Sequence, residues 1–352
     1  MMIRVGLLGA TGYMGGEALR VLLAHPGVDI VWATSRNAGR IEDYHPNLYG
    51  CDVKLIHPDD ITACDVVFTA LPTTATLSVV PRLLGMGCRI IDLGAAFRLK
   101  HKATWENVYQ AQHDQWPLVE ESVYGISELH RSDIEQARLI ANPGCFSSAA
   151  ILALAPLLKH QLVDPQRLVV NGISGTAGAG AELARAAHHP EIGNNLVAYN
   201  VVDHRHSYEM EQELALVSGA DVAVHFTPVY APITRGILGI CQGFATKALT
   251  RAALLQHYQS FYQGHPFVRV YDVAKEPGVA WQYKPYPWVS AVAGTNYCFI
   301  GLDVDEARGR VVVFSVLDSL GKGGAQVGVE NMNIMFKLDR TLGLTQRGHH
   351  PG

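Results

Sequence analysis

The sequence has 352 residues, of which 48% are hydrophobic and 17% are charged, and its formal net charge is −4. This length suits two domains, and the composition supports a large apolar core rather than a disordered chain. The weak negative charge and the absence of a basic run give no general attraction for nucleic acid or anionic lipid. The N-terminus lacks the pattern of a signal peptide, and no stretch approaches the ~20 apolar residues that span a bilayer, so we expect a soluble, cytoplasmic protein.

The first third of the chain alternates short apolar runs with helical patterns. Strands are predicted at 3–8, 29–33, 66–71, 89–93 and 138–141, and helices at 15–23 and 75–86. Strands that alternate with helices are typical of a parallel, doubly wound sheet.

The pattern changes after about residue 165. Strands are predicted at 168–173, 222–230, 236–244, 297–304 and 310–316, joined by long loops with few helices. One clear helix is predicted there at 254–262, and a last helix at 324–336 follows the final strand. This second part therefore indicates a larger, mostly antiparallel sheet.

The segment GATGYMG at 9–15 follows the first predicted strand and opens the first predicted helix. Its Gly-x-x-Gly-x-x-Gly spacing is a variant of the dinucleotide fingerprint, in which glycines allow the backbone to approach a pyrophosphate at a helix N-terminus. The candidate cofactor residues are Gly9, Thr11, Gly12, Tyr13, Met14 and Gly15.

The end of the second predicted strand indicates which dinucleotide is bound. NAD enzymes usually have an acidic residue there to hold the ribose 2′-hydroxyl. This chain has Thr34-Ser35-Arg36 instead. A hydroxyl and a guanidinium suit a 2′-phosphate, so the sequence favours NADP, unless Arg36 is only a solvated loop charge.

Six cysteines lie at 51, 64, 88, 145, 241 and 298, and no pair has the Cys-x-x-Cys spacing of a zinc or dithiol site. Cys145 differs from the others because it ends the sequence Asn142-Pro143-Gly144-Cys145, between a short strand and a helical pattern at 147–158. A cysteine near a helix N-terminus is stabilised as the thiolate. Spacing alone leaves a second interpretation open, in which Cys145 is simply a buried residue at the start of a helix.

A nucleophile needs a base, and the segment His204-Arg205-His206 with Glu209 offers one. A histidine can accept the thiol proton, and a neighbouring carboxylate can orient its ring. A second cluster, at 188–191 (HHPE), is a candidate for the substrate side. No third ligand has convincing metal-binding spacing, so no metal site is predicted.

Together these features resemble the N-acetyl-γ-glutamyl-phosphate reductases along nearly the whole chain. The resembling motifs are GATGYMGGE at 9–17, ATSR at 33–36, HPNLYG at 45–50, DLGAAFRL at 92–99, NPGC at 142–145, SGTAGAG at 174–180, HRHSYEMEQEL at 204–214, TRGI at 234–237 and GTNY at 294–297. The wider group includes aspartate-semialdehyde dehydrogenase and is similar in architecture to glyceraldehyde-3-phosphate dehydrogenase.

The resemblance implies an α/β fold with a Rossmann NADP-binding domain, formed by residues 1–144 and 324–352. It also implies an α+β catalytic and oligomerisation domain at 145–323, and a homodimer or homotetramer. The implied reaction is the NADPH-dependent reduction of an acyl phosphate to an aldehyde through a thioester.

The resemblance makes Cys145 the nucleophile and His206, in preference to His204, the acid/base. The segment that contains Lys322, Gly323 and Gln326 would close over the nicotinamide half of NADP(H).

Five residues are candidates for contact with the substrate. Backbone N–H groups near Cys145, with Asn142, are expected to hold the oxyanion. Arg98 and Arg235 are expected to hold phosphate or carboxylate, because a guanidinium pairs bidentately with either, although both could form structural ion pairs. Ser174 and His188 complete this set.

The substrate is less well defined than the reaction. A sister family, which reduces a carrier-linked aminoadipate phosphate in lysine biosynthesis, shares the HPNL, HHPE, HRH and GTNY features. The NPGC sequence favours the arginine-pathway enzyme, whereas HHPE favours the sister family. A non-catalytic NADP sensor, a plain alcohol dehydrogenase and a thiol hydrolase each explain only part of the pattern.

Overall fold

The structure is a computed structural model that describes residues 2–37 and 39–349. These residues form two compact units, one of 2–143 with 324–346 and one of 144–323 with 347–349. The sequence-based division assigned Gly144 and 347–352 to the first unit, but Gly144 and the described part of 347–352 lie with the second. The Arg347 guanidinium lies 5.3 Å from the centroid of the Tyr297 ring. Residues 350–352 of that division lie outside the described residues.

The first unit contains seven strands, β1 (Ile3–Leu8), β2 (Val28–Thr34), β3 (Leu55–Ile56), β4 (Val66–Thr69), β5 (Arg89–Asp92), β6 (Val123–Tyr124) and β7 (Leu139–Ala141). The α-helices of this unit that precede β7 are α1 (Tyr13–Leu23), α2 (Ile41–Tyr44), α3 (Thr73–Gly85), α4 (Lys102–Tyr109), α5 (Trp116–Glu121) and α6 (Ser127–Gln136).

All neighbouring strands of this sheet are parallel, in the order β3-β2-β1-β4-β5-β7-β6. The predicted parallel sheet is therefore confirmed. Every residue of β4 is buried, as expected for a strand that is covered on both faces. The order reverses between β1 and β4, and ligands of such sheets bind at the carboxyl ends of the strands where this happens.

The second unit contains the helices α7 (Cys145–Lys159), α8 (His189–Ile192), α9 (Arg205–Ser218) and α10 (Arg251–Phe261). Its strands are β8 (Leu168–Ser174), β9 (Val197–Ala198), β10 (Val224–Tyr230), β11 (Ile237–Phe244), β12 (Val268–Val270), β13 (Cys298–Asp305) and β14 (Arg310–Leu317).

These strands form one sheet in the order β12-β13-β14-β11-β8-β10-β9, with parallel pairing only at β12–β13 and β8–β10. One face of the sheet packs on α7, where the Ser315 hydroxyl donates to the Ala149 carbonyl oxygen at 2.8 Å. Alternate residues of β11 are buried on this face and half-exposed on the other. The mostly antiparallel sheet is confirmed.

The prediction that long loops with few helices join the strands of this unit was wrong for the segment HRHSYEMEQEL, because residues 205–218 form the 14-residue helix α9. Its buried residues include His206, Glu209, Met210, Glu213 and Leu214, which follow helical spacing. Three of these five are polar, so the stripe does not stand out as hydrophobic periodicity.

A last helix, α11 (Gln326–Met335), returns to the first unit, and all ten of its residues are buried. It packs tightly on the parallel sheet, since a Cβ at Gly328 would lie 2.9 Å from Leu93 and 3.3 Å from Ile91. The prediction of a final helix is thus confirmed. In residues 2–37 and 39–349, no helix combines the length and the apolar character needed to cross a bilayer.

Candidate active site

The loop after β1 and the first turn of α1 each have one position at which only glycine fits. Gly9 has a φ of +79°, and a Cβ there would lie 2.4 Å from the Ala70 carbonyl oxygen. A Cβ at Gly15 would lie 2.2 Å from the Gly9 carbonyl oxygen. The N-cap Gly12 provides no side chain to bond the N–H groups of the first turn, which begins at Tyr13. These N–H groups and the positive end of the helix dipole suit the pyrophosphate of a dinucleotide.

The carboxyl end of β2 lies beside this loop. The buried Thr34 hydroxyl accepts a hydrogen bond from the Gly9 N–H at 3.3 Å. The Ser35 hydroxyl accepts from the Asn37 N–H at 3.1 Å, and the Arg36 side chain is exposed. This strand end therefore offers hydroxyl and guanidinium groups and no carboxylate.

Gln326 is the first residue of α11 and is fully buried. Its Nε2 donates to Glu17 Oε1 at 2.8 Å. Glu17 lies in α1 and also pairs with Arg20 Nη2 at 2.7 Å. The start of α11 is thus tied to the helix that begins at the dinucleotide loop.

Two predicted substrate residues of the first unit, Arg98 and Asn142, are buried. Arg98 Nη2 donates to the Leu93 carbonyl oxygen at 3.3 Å. Burial raises the pKa of the neighbouring Asp92, while a hydrogen bond from Thr69 and the charge of Arg98 act in the opposite direction. These contacts tie Arg98 to the loop that follows β5.

The Asn142 amide donates from Nδ2 to the Gly324 carbonyl oxygen at 2.9 Å. Asn142 Oδ1 lies 3.4 Å from Nδ2 of Asn331, a donor that also bonds the Gly125 carbonyl oxygen. These contacts hold the Asn142 side chain at the end of β7, and its expected contact with an oxyanion remains a prediction.

In the second unit, Cys145 is the first residue of α7 and its side chain is half-buried. The preceding Gly144 provides no side-chain cap, so the dipole of a 15-residue helix acts on the sulfur and favours the thiolate. Gly323 packs against it so closely that a Cβ there would lie 2.9 Å from the Cys145 Cβ. By contrast, burial raises the pKa of Cys241 to about 12.

His204 is the N-cap of α9. Its Nδ1 accepts a hydrogen bond from the His206 backbone N–H at 3.1 Å. Burial, together with the charge of Arg205, lowers the pKa of His204 to about 4, and Glu209 opposes the shift. His204 is therefore neutral near pH 7 and uses Nδ1 to cap the helix.

His206 lies in the first turn of α9, and its side chain is 7% exposed. Its Nε2 is 3.9 Å from Glu209 Oε1. The other oxygen of this fully buried carboxylate accepts from the Gly144 N–H at 2.9 Å. One carboxylate thus contacts both the candidate base and the residue that precedes the candidate nucleophile.

Arg235 forms the ion pair that was the alternative to a substrate contact. Its Nε and Nη2 donate to the two oxygens of buried Asp318 at 2.8 and 3.1 Å, and 25% of its side chain stays exposed. Asp318 also accepts from the N–H groups of Leu320 and Gly321, which lead to Gly323. No sequence motif had singled out Asp318.

Three other predicted residues make local contacts. The buried Ser174 hydroxyl donates to the Gly175 carbonyl oxygen at 2.9 Å, and His188 is exposed before α8. Lys322 is buried, with Nζ 5.5 Å from the centroid of the Phe267 ring. The roles expected for these three residues remain predictions.

Tyr199 was missed in the sequence. Its ring stacks on Tyr230 with centroids 4.1 Å apart and meets His204 edge-on at 5.8 Å. Burial raises its pKa, with contributions from Tyr230 and from Cys145. The sequence feature that could have indicated Tyr199 is its position as an aromatic residue shortly before HRH.

Among the residues that the structure describes, no three His, Cys, Asp or Glu side chains form a group that could hold a metal.

Comparison with known proteins identifies the family. Residues 4–137 match the family model described as "Semialdehyde dehydrogenase, NAD binding domain", and 145–319 match "Semialdehyde dehydrogenase, dimerisation domain". The chain therefore belongs to the semialdehyde dehydrogenase family. Its two units correspond to a domain for a nicotinamide dinucleotide and a domain through which such proteins associate.

Full-length relatives of the chain share one name within this family. N-acetyl-gamma-glutamyl-phosphate reductase from Pelotomaculum thermopropionicum is 41% identical over 358 residues, with 100% of both chains covered. The protein of the same name from Methanopyrus kandleri is 43% identical, with 99% of this chain and 100% of that one covered. The resemblance predicted from the motifs is confirmed.

Solved structures agree on the fold. Aspartate semialdehyde dehydrogenase II complexed with ASA from Vibrio cholerae has a TM-score of 0.70 at 15% identity, covering 96% of this chain and 99% of that one. Aspartate semialdehyde dehydrogenase with NADP from Candida albicans has a TM-score of 0.63 at 14% identity, covering 96% and 99%.

Proposed function

We propose that this protein reduces N-acetyl-γ-glutamyl phosphate to N-acetylglutamate semialdehyde and phosphate, with NADPH as the reductant. Relatives that are 41% and 43% identical along their full length are named for this activity. The observation that carries the proposal is the Glu209 carboxylate, which links His206 to Gly144 immediately before Cys145. This arrangement suits a cysteine nucleophile served by a histidine base.

The first half of the reaction transfers the acyl group to sulfur. His206 accepts the thiol proton, and the Cys145 thiolate attacks the carbonyl carbon of the acyl phosphate. The C–S bond forms, the C–O bond to phosphate breaks, and His206 passes its proton to the departing phosphate. Backbone N–H groups at the uncapped start of α7 stabilise the negative charge on the carbonyl oxygen.

The second half releases the aldehyde. The glycine loop at 9–15 would hold the dinucleotide, which when bound would supply the hydride for the thioester carbon. The same N–H groups of α7 hold the resulting alkoxide. When the alkoxide collapses, the C–S bond breaks, and the aldehyde leaves as the Cys145 thiolate is restored.

We propose His206 rather than His204 as the acid/base. His204 commits Nδ1 to the His206 N–H as a helix cap, and its lowered pKa of about 4 makes it a weak proton acceptor near neutral pH. His206 faces the Glu209 carboxylate, which can orient its ring and stabilise its charged form.

We propose NADP rather than NAD as the dinucleotide. The carboxyl end of β2 presents Ser35 and exposed Arg36 and no acidic residue at 34–37. A 2′-phosphate placed there would be held by a hydroxyl and a guanidinium. The ribose 2′-hydroxyl of NAD would lack the carboxylate that usually binds it.

We propose that two copies of the chain associate through the sheet of the second unit. Val169, Ile173, Leu238, Ile240 and Phe314 are half-exposed on the face opposite α7. The same face also contains the half-exposed Asn171 and Gln242, and a mixture of apolar and uncharged polar side chains is typical of a subunit interface. Sedimentation of Ile240→Glu should show a monomer where the parent protein is a homodimer, and an unchanged dimer would contradict this interface.

The reverse reaction tests the proposed chemistry. Purified protein is mixed with N-acetylglutamate semialdehyde, NADP and phosphate, and NADPH absorbance is followed. We expect phosphate-dependent NADPH formation that Cys145→Ala abolishes and that Cys51→Ala, a change at another half-buried cysteine, preserves. NADPH formation without phosphate, or in Cys145→Ala, would contradict the thioester route.

A further inference from the structure

The HPNLYG segment at 45–50 has no part in the mechanism above, yet its first residue contacts the dinucleotide loop. His45 follows α2 and is 8% exposed. Its Nε2 lies 2.8 Å from the Ala10 carbonyl oxygen. Because a carbonyl oxygen can only accept, Nε2 carries the ring proton and donates it.

A second contact places the same ring against α1. A Cβ at Gly16 would lie 2.4 Å from Cε1 of His45 and 2.6 Å from each ring nitrogen. The imidazole therefore occupies the space that any other residue at position 16 would need for its side chain. The Gly16 N–H donates to the Gly12 carbonyl oxygen at 2.8 Å, so this glycine belongs to the first turn after the loop.

These contacts hold the two peptide groups on either side of Ala10. The Ala10 N–H donates to the Thr34 carbonyl oxygen at 3.2 Å, and the Ala10 carbonyl oxygen accepts from His45. A trans peptide group is planar, so the Thr11 N–H points opposite to the Ala10 carbonyl. Holding that carbonyl therefore also fixes the direction of the Thr11 N–H, a candidate donor to pyrophosphate.

We propose that His45 is a positioning residue for the dinucleotide: it holds the Ala10 carbonyl so that the loop N–H groups face the pyrophosphate before it binds. This inference rests on the proposed use of the 9–15 loop as the NADPH site. A loop that is already ordered loses less conformational freedom on binding, so affinity rises without a direct contact from the imidazole.

The test uses the full-length protein and measures NADPH binding by the change in NADPH fluorescence. His45→Phe keeps a ring of similar size and removes the donor, whereas His45→Gln restores an N–H near the Nε2 position. We expect His45→Phe to weaken NADPH binding about tenfold, the size of one buried hydrogen bond, and His45→Gln to recover most of the affinity. Binding is measured without turnover, so an inactive parent protein would overturn the proposed reaction and leave this test intact.

His113→Phe is a matched control. His113 is also buried in the first unit, and its Nε2 lies 2.9 Å from the Ala96 carbonyl oxygen. We expect it to retain NADPH affinity. Equal weakening in both Phe variants, or parent-like affinity in His45→Phe, would overturn the proposal.

A double-mutant cycle tests the steric contact independently, and it decides the matter if His45→Phe does not fold. Gly16→Ala should weaken NADPH binding when His45 is present, because the new Cβ must displace the imidazole. In a His45→Ala background the space is free, so Gly16→Ala should add little further loss. Additive losses would contradict a role for His45 in holding the loop.

Discussion

Glu209 accepts a hydrogen bond from the Gly144 N–H at 2.9 Å, across 65 positions of the sequence. The bond joins α9, which contains His206, to the residue before Cys145. A single buried carboxylate thereby contacts both elements that hold the two reacting groups of the proposed mechanism, and its removal should affect the chemical step more than cofactor binding.

Glu209→Gln should lower kcat/KM about tenfold to a hundredfold, because a neutral amide keeps the volume and no longer stabilises a charged His206. Steady-state kinetics with either substrate varied would measure the change, with NADPH affinity expected to be constant. Glu213→Gln, at another buried glutamate of α9, is the control and should stay within about threefold. Equal losses of kcat/KM in the two variants would show that Glu209 has no specific role in catalysis.

Gly323→Ala should reduce kcat about tenfold or more, because the added Cβ would lie 2.9 Å from that of Cys145 and 3.0 Å from Leu317 Cδ1. A small displacement of the sulfur is enough to disturb attack on the carbonyl. Gly85→Ala, where a Cβ meets nothing within 4 Å, should leave kcat unchanged. If both variants show the parent rate, the close packing against Cys145 has no catalytic consequence.

The buried His204 should make folding sensitive to mild acid. Its pKa is lowered from 6.5 to about 4 in the folded protein, chiefly by burial, so the unfolded chain binds a proton first as pH falls. The contribution of neutral His204 to the free energy of unfolding is then complete above about pH 6.5. It is lost between about pH 6.5 and 4, by up to roughly 3 kcal/mol. Urea unfolding of the parent protein and of His204→Asn, which keeps a capping side chain, at pH 7 and pH 5 measures this. An identical pH dependence in the two proteins would exclude His204 as its source.

Arg340→Met should destabilise the first unit by about 3–5 kcal/mol, because it removes the cation that pairs with two buried carboxylates. The Arg340 guanidinium pairs with Glu330 and with Glu128, and all three side chains are at most 7% exposed. Arg138→Met breaks the exposed pair with Glu121, at 2.6 Å, and should cost no more than about 1 kcal/mol. Denaturant unfolding distinguishes the two, and comparable losses would contradict this ranking.

Arg36→Ala should raise KM for NADPH about tenfold and leave KM for NADH nearly unchanged, because only NADPH has the 2′-phosphate. The measurement compares both cofactors in the forward reaction. Arg40→Ala, at an exposed arginine nearby that pairs with Glu42, should affect neither value strongly. A similar rise in KM for NADH would show that Arg36 does not distinguish the two cofactors.

The parallel sheet was predictable because its strands are continuous apolar runs. Periodicity alone identified β1, β2, β4, β5 and β7 to within a few residues. The glycine loop was equally clear, since Gly9 and Gly15 are required by positive φ or by backbone contact and not by packing preference.

The second unit was predicted less completely, because its important contacts join distant residues. The helical stripe of α9 contains His206, Glu209 and Glu213, so a search for hydrophobic periodicity missed it. The pairing of Arg235 with Asp318 spans 83 positions, and in the first unit the contact of His45 with Ala10, which was also missed, spans 35. Local patterns report residue types along the chain, whereas these interactions depend on how the chain is folded.

The return of α11 to the first unit has a consequence for protein synthesis. Its ten residues are all buried in that unit, yet the ribosome makes them after the whole of residues 144–323. The first unit therefore begins to emerge first but lacks part of its core until residues 326–335 have been made. The second unit can therefore complete its folding before the first unit does, which reverses the usual N-to-C order of co-translational folding. Until α11 is made, the apolar surface that it covers in the first unit stays exposed and accessible to chaperones.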